Sequence, residues 1–180
     1  MANLLETPRL TLRPWQDSDL DSLAEICSDP VVMKYVGSGE FWPVERCLAF
    51  IRKNTRLLEE YGYCQWGVEF NDNRQVIGFC GFVPHEGDVE IGWRLASRCH
   101  GLGLGLEAAK AAIQFAQHAG MTRVVARVQA ENAASLRLAE RLGMTKLTSL
   151  YRNGREIRQF EIRLDRKVDQ LRPLNGNPES

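Results

Sequence analysis

A mixed, mostly antiparallel twisted β-sheet flanked by helices, an α+β arrangement within the wider α/β class, is the fold that this 180-residue sequence predicts. Three observations carry the prediction. Short alternations of apolar and polar residues recur between turn signals, as half-buried strands require. Asn153-Gly154 sits between two such alternations and is a strong antiparallel hairpin signal. Gly101, Gly103 and Gly105 join an alternating segment to a helical one that leads into another strand pattern, which argues for one local parallel crossover.

The elements follow in order. RLTLRP from Arg9 alternates at Leu10 and Leu12 and is closed by Pro14. In SDLDSLAEIC, Ser18 and Asp21 resemble a capping box, and Leu20, Leu23, Ala24 and Cys27 share a helical face. Asp29-Pro30 ends that helix. Pro43 opens a second helix at its first turn, with Val44, Leu48, Ile51 and Leu58 inward and Gly62 at its close. YCQWGVEF, QVIGFCGFV and DVEIGWRL then read as three strands linked by turns at Asn71 and His85. A helix from about Gly105 to Gly120 carries a stripe of Leu106, Ala109, Ile113 and Ala116. RVVARVQ is the next strand, and NAASLRLAERLG from Asn132 is a short helix stopped by Gly143. KLTSLYR and REIRQFEIRL form the last hairpin. A single domain over 1–167 and a flexible polar tail over 168–180 are expected.

Composition narrows the function. Lysine plus arginine and aspartate plus glutamate both number 23, so bulk charge attracts neither nucleic acid nor membrane. No apolar run of transmembrane length and no signal-peptide pattern is present, which makes a cytoplasmic location the expectation. The five cysteines, Cys27, Cys47, Cys64, Cys80 and Cys99, include no CxxC pair, so core packing is favoured over a disulfide framework or a metal site. Cys99, beside the glycine run, lacks an assignable histidine partner.

The glycine run fits neither the dinucleotide fingerprint, whose final glycine is replaced by Leu106, nor a phosphate loop ending in Lys-Ser/Thr. What remains is Arg98-x-x-Gly101-x-Gly103 between strand and helix. Such a turn aims backbone N–H groups at an anion, the helix terminus adds positive potential, and glycines let oxygens come close. A pyrophosphate is the implied ligand. A turn that only packs the helix on the strand is the competing reading.

These residues belong to a longer series. Thr7-Pro-Arg9-Leu10-Thr-Leu12-Arg13-Pro14 comes first, followed by Ser28-Asp29-Pro30 with Val32-Met33. Next come Glu90-Ile91-Gly92-Trp93-Arg94-Leu95 and His100-Gly101-Leu-Gly103-Leu-Gly105-Leu-Glu107-Ala108. Asn132-Ala-Ala-Ser135 and Glu140-Arg-Leu142-Gly143-Met144 close the series. From Thr7 to Leu164 the chain resembles the GNAT family of acyl-CoA-dependent N-acetyltransferases, in particular its RimJ/RimL-like branch.

That resemblance implies the acyl-CoA N-acyltransferase fold with a central splay, where the strand ending at Leu95 parts from the strand starting at Arg123. It implies acetyl-CoA as co-substrate and no metal. The pyrophosphate falls to Arg98, Gly101, Leu102, Gly103, Leu104 and Gly105. The pantetheine arm falls to main chain near Trp93 and Leu95, where an amide would polarise the thioester carbonyl. Asn132 and Ser135 match coenzyme-contacting positions, although an asparagine helix cap and an ordinary first-turn serine explain them too.

An attacking amine must lose a proton. Glu90 is the first candidate base, with Gly92 leaving room on its face, and an ion pair is its competing role. His85 and His100 are further candidates, and Glu107 is better explained by the helix dipole. His100 stands where the branch has tryptophan. The tyrosine that many members use as acid is replaced by Ala139, which leaves Ser135 or water to serve the departing thiolate.

Glu40 and Trp42, with Gly37 and Phe41, are candidates to receive the amine acceptor, a protein N-terminus or a small molecule. Tyr151 and Arg152 are weaker ones. The exposed aromatics serve equally to close the core or to form a homodimer face. No nucleic acid or membrane partner is expected. A non-catalytic acyl-CoA sensor, or a pure interaction protein, are the rival readings.

Overall fold

Residues 4–164 are described by the computed structural model, and the expected tail at 168–180, like the ends of the expected 1–167 domain, lies outside them. The chain forms β1 (Leu5–Glu6), β2 (Leu10–Arg13), α1 (Leu20–Ser28), α2 (Pro30–Met33) and α3 (Val44–Tyr61). β3 (Gln65–Phe70), β4 (Val76–His85) and β5 (Asp88–Leu95) follow, then α4 (Leu104–His118), β6 (Arg123–Gln129) and α5 (Ala133–Arg141). β7 (Thr145–Lys146), β8 (Leu150–Arg152) and β9 (Arg155–Arg163) complete it.

Strand alternation divides the core. Trp66 and Val68 are fully buried in the larger hydrophobic cluster, with Leu10, Leu12 and the alanine-rich face of α4. A side chain on the intervening Gly67 would instead meet the indole of Trp15, which belongs to a second cluster with Leu23, Cys27, Cys47, Ile51 and Phe79. Helices therefore cover the sheet on both faces, α4 on one and α1 with α3 on the other.

The strand order is β1-β2-β3-β4-β5-β6-β9-β7, with β8 also on β9. Every pairing is antiparallel except β5 with β6, which meet in parallel at one register position, Glu90 opposite Val125. Beyond Glu90, β5 keeps its partner β4 through Leu95 but has no ladder partner on the β6 side. The sheet opens there, as the predicted splay requires.

Several local expectations are corrected. The capping interaction ahead of α1 is not Ser18 with Asp21: the Gln16 backbone N–H donates to Asp19 at 2.8 Å. Asp19 is drawn to that position by Arg13, whose guanidinium donates to it at 2.8 and 2.9 Å and to Glu69 at 2.6 Å. The Arg13 pKa is raised chiefly by Asp19, against the opposing effect of burial and with support from Glu69. Pro43 occupies the N-cap of α3 rather than its first turn, and Val44 is exposed. The buried stripe is Cys47, Ile51, Asn54 and Leu57, a phase that the sequence hides because Asn54 is polar. Asn54 is buried because its side chain accepts from the Gln65 N–H at 2.8 Å and donates to the Phe50 carbonyl at 2.9 Å. KLTSLYR is not one strand: it breaks between β7 and β8, and both halves pair with β9. The final turn is as expected, with Asn153 and Gly154 both at positive φ and Arg152 opposite Arg155.

Candidate functional site

The opening between β5 and β6 is where the site forms. Two cavities, of about 600 and 550 Å³, share Tyr35, Val36, Trp93, Asn132 and Ser135 in their linings. The 600 Å³ cavity takes in Glu90, Arg127, His85 and the β8–β9 hairpin. The 550 Å³ cavity runs along Leu95, His100 and the glycine turn. The junction is built by the helix cap of α5. Asn132 accepts from the Ser135 backbone N–H at 3.1 Å, which confirms its capping role and faces both residues to the opening. The Trp93 indole then donates to the Ser135 hydroxyl oxygen at 3.1 Å.

In the glycine turn, three glycines have two different duties. Gly101 and Gly103 adopt φ of +77° and +78°, a backbone that side-chain-bearing residues avoid. An added Cβ would meet nothing within 4 Å at Gly101, so its conformation, not local crowding, calls for glycine. Gly105 has no such φ: its Cβ would lie 3.1 Å from Leu138 Cδ1, so it lets α4 approach α5. The helix starts at Leu104 with Gly103 as its N-cap, one residue before the expected start.

The turn is braced from outside. Arg9 donates to the Leu102 carbonyl at 3.1 Å and to Glu107 at 2.7 Å, and Thr7 donates to Glu107 at 2.7 Å. Burial pushes the Glu107 carboxyl up, but the bonds from Thr7 and Arg9 outweigh it and hold it below its usual range. Glu107 is thus a tie between the first hairpin and α4. At the other end, a His100 ring nitrogen lies 2.9 Å from the Leu95 carbonyl, and because a carbonyl only accepts, that nitrogen carries the proton. His100 therefore ties the end of β5 to the turn.

The linings differ in charge. The 550 Å³ cavity is lined by Lys34, Arg94, Arg137 and Arg141 and by no carboxylate. Arg94 lies over the rings of Trp42 at 4.2 Å and Phe79 at 5.0 Å. Its pKa is lowered, mainly by burial, and nearby Arg46 adds to this while Cys27 opposes it. None of these four basic residues was picked out as a site residue from the sequence. The available signal was Arg137 and Arg141, one helical turn apart and just after Asn132-x-x-Ser135.

In the 600 Å³ cavity Glu90 does not stand alone. Arg127 donates to it at 2.8 Å and also lies 3.6 Å from Glu86 and 3.8 Å from Asp88. The space beside Gly92 is filled: an added Cβ would lie 2.5 Å from the Gln65 amide nitrogen, so the glycine makes room for Gln65 rather than for an open face.

Of the remaining expected residues, Trp93, Leu95, Gly101, Gly103 and Gly105 line the 550 Å³ cavity. Arg98 does not and instead pairs with Glu25 at 3.4 Å. Leu102 is exposed and Leu104 is buried in the core. Glu40 and Trp42 line neither cavity, and Trp42 packs between Phe50, Arg46 and Arg94. Ala139 is fully buried in the core. All five cysteines are free and buried, and burial pushes the Cys99 thiol up against the opposing influence of Arg98. No helix among the described residues is long and apolar enough to cross a membrane.

Residues 9–145 match the family model described as "Acetyltransferase (GNAT) domain". The chain belongs to the GNAT acetyltransferase family. It is an acyltransferase with that family's fold. The chain is 32% identical over 146 residues to the uncharacterized N-acetyltransferase p20 of Bacillus licheniformis, covering 79% of this chain and 82% of p20. A GNAT-family acetyltransferase structure from Bacillus anthracis shares the fold with a TM-score of 0.78 at 24% identity, covering 89% of this chain and 98% of that one. A RimL ribosomal L7/L12 alpha-N-protein acetyltransferase in complex with coenzyme A gives a TM-score of 0.78 at 17% identity, covering 91% and 99%.

Proposed function

We propose that this GNAT protein moves an acetyl group from acetyl-CoA to a primary amine, on a protein N-terminus or a small molecule, by direct transfer between two ligands bound together. The observation that carries the reading is the meeting of two unlike cavities at Trp93, Asn132 and Ser135. One has cationic side chains and no carboxylate, and the other holds Glu90.

Coenzyme A fits the first cavity. Lys34, Arg137 and Arg141 offer charge to its phosphates, whereas the Arg94 guanidinium is turned away against Trp42 and Phe79, and the N-terminus of α4 behind Gly101 and Gly103 adds positive potential. The side of β5 that lacks a ladder partner offers main chain near Trp93 and Leu95 to an extended arm. When bound, acetyl-CoA supplies the acetyl group as an activated thioester.

The protein's residues then handle protons. Glu90 faces the acceptor cavity as the group to receive a proton from the amine, with Arg127 fixing its orientation. Ser135 accepts from Trp93, which leaves its own O–H free to donate into the cleft. The buried, unpaired thiols suit a reducing cytoplasm.

Calorimetry with coenzyme A and acetyl-CoA, followed by thiol-release assays over amino acids, polyamines and N-terminal peptides, tests the reading. Binding together with release from at least one amine is expected. Binding without release from any amine would turn the protein into a coenzyme sensor, and absence of binding would remove both readings.

A further inference from the structure

The acceptor cavity contains a cation without a counter-ion. Three arginines line it: Arg127, Arg152 and Arg155. Arg127 is answered by Glu90 at 2.8 Å and Arg152 by Glu86 at 3.2 Å. Arg155 has no carboxylate partner among the described residues. Its guanidinium donates to neutral acceptors only, the Gly37 carbonyl and Gln129 at 3.1 Å and the Ser38 carbonyl at 3.3 Å.

Its placement makes this unusual. Arg155 is directly opposite Arg152 across the tight Asn153-Gly154 turn. Like charges facing each other across two strands are destabilising, and only one of the two is neutralised. The bonds to Gly37 and Ser38 also hold a loop whose residues line the same cavity, so the guanidinium is fixed in the wall. A fixed guanidinium with donors to spare is matched to a carboxylate, which it binds by charge-assisted and often bidentate hydrogen bonds.

Resting on the acetyl-transfer reading, we propose that the acceptor is an amine that also carries a carboxylate, and that Arg155 receives that carboxylate while the amine faces Glu90. A polyamine, which brings only positive charge to this wall, is the wrong class of acceptor.

The test is thiol release with a matched series: a free α-amino acid, its carboxamide, and the amine lacking the carboxyl group. Two short peptides, with acidic or neutral second residues, form a further arm. The free acid is expected to exceed its carboxamide by about tenfold or more in kcat/KM, the scale of a hydrogen bond to a charged group. Preference for the acidic peptide instead would assign the carboxylate to a peptide side chain. Arg155→Gln should lower the rate on the free acid far more than on the carboxamide and so erase the preference, while Arg155→Lys should keep part of it.

Equal rates for acid, carboxamide and simple amine in the unsubstituted protein would overturn the proposal whatever the variants do. Equal loss on acid and carboxamide in Arg155→Gln would reduce Arg155 to a loop latch and overturn it too. Release with no carboxylate preference leaves acetyl transfer standing, whereas coenzyme binding without any release overturns both.

Discussion

The indole N–H of Trp93 donates to the hydroxyl oxygen of Ser135 at 3.1 Å, joining β5 to α5 across the place where the sheet opens. The bond uses one lone pair of the serine and leaves its proton free, so Trp93 sets the direction of that proton. Trp93→Phe keeps an aromatic ring and removes the donor. We expect kcat to fall by about two- to tenfold, the scale of one neutral hydrogen bond. In a Ser135→Ala background the same substitution should add nothing. Steady-state thiol release on the four proteins checks this, and independent, multiplying losses would remove the positioning role.

Glu90→Gln retains shape but not the capacity to take a proton. The rate should fall by about a hundredfold or more and the pH–rate profile should change shape. A slower enzyme with the original profile would leave Glu90 as an orienting partner of Arg127.

Gly103 and Gly105 should respond differently to alanine. Gly103→Ala places a side chain at φ +78° and should cost about 1–2 kcal/mol, with weaker coenzyme binding. Gly105→Ala gains about 0.5–1 kcal/mol of helix preference. That gain opposes a contact of 3.1 Å with a terminal methyl of Leu138, which is able to rotate. We expect Gly105→Ala to be near neutral and Gly105→Leu to be clearly destabilising. Thermal melts and coenzyme titrations of the three variants decide it.

Arg13 bears on stability alone. Arg13→Met strands Asp19 and Glu69, both buried, without their shared cation. Breaking such a cluster should cost about 3–5 kcal/mol in urea denaturation. A loss under about 1 kcal/mol would mean that Arg74, 2.7 Å from Glu69, compensates.

Acid should loosen the first hairpin from α4. The Glu107 carboxyl is held below its ordinary value of 4.5 in the folded protein, so its contribution is complete above that pH and is lost as pH falls through the folded value. Stability should therefore drop below about pH 4.5, and Glu107→Gln should flatten part of that slope. Parallel stability curves for the two proteins from pH 6 to pH 3 would refute the assignment.

Much of the molecule was settled by local pattern. Alternation placed the strands from Gln65 to Leu95, the Asn153-Gly154 turn set its own hairpin, and the ordered motifs from Thr7 to Met144 carried the family. These are features of neighbouring residues, whose steric and hydrogen-bonding preferences act over a few positions. What α3 buries was not legible, because Asn54 enters the core only when β3 arrives with the Gln65 N–H. The duty of each glycine was likewise hidden: Gly105 is decided by Leu138, and Gly92 by Gln65. Lys34, the neighbouring pair Arg137 and Arg141, and the uncompensated Arg155 come from separate elements of the chain. Only the opening of β5 from β6 gathers them, since charge acts through space and sequence spacing says nothing about which charges will face one another.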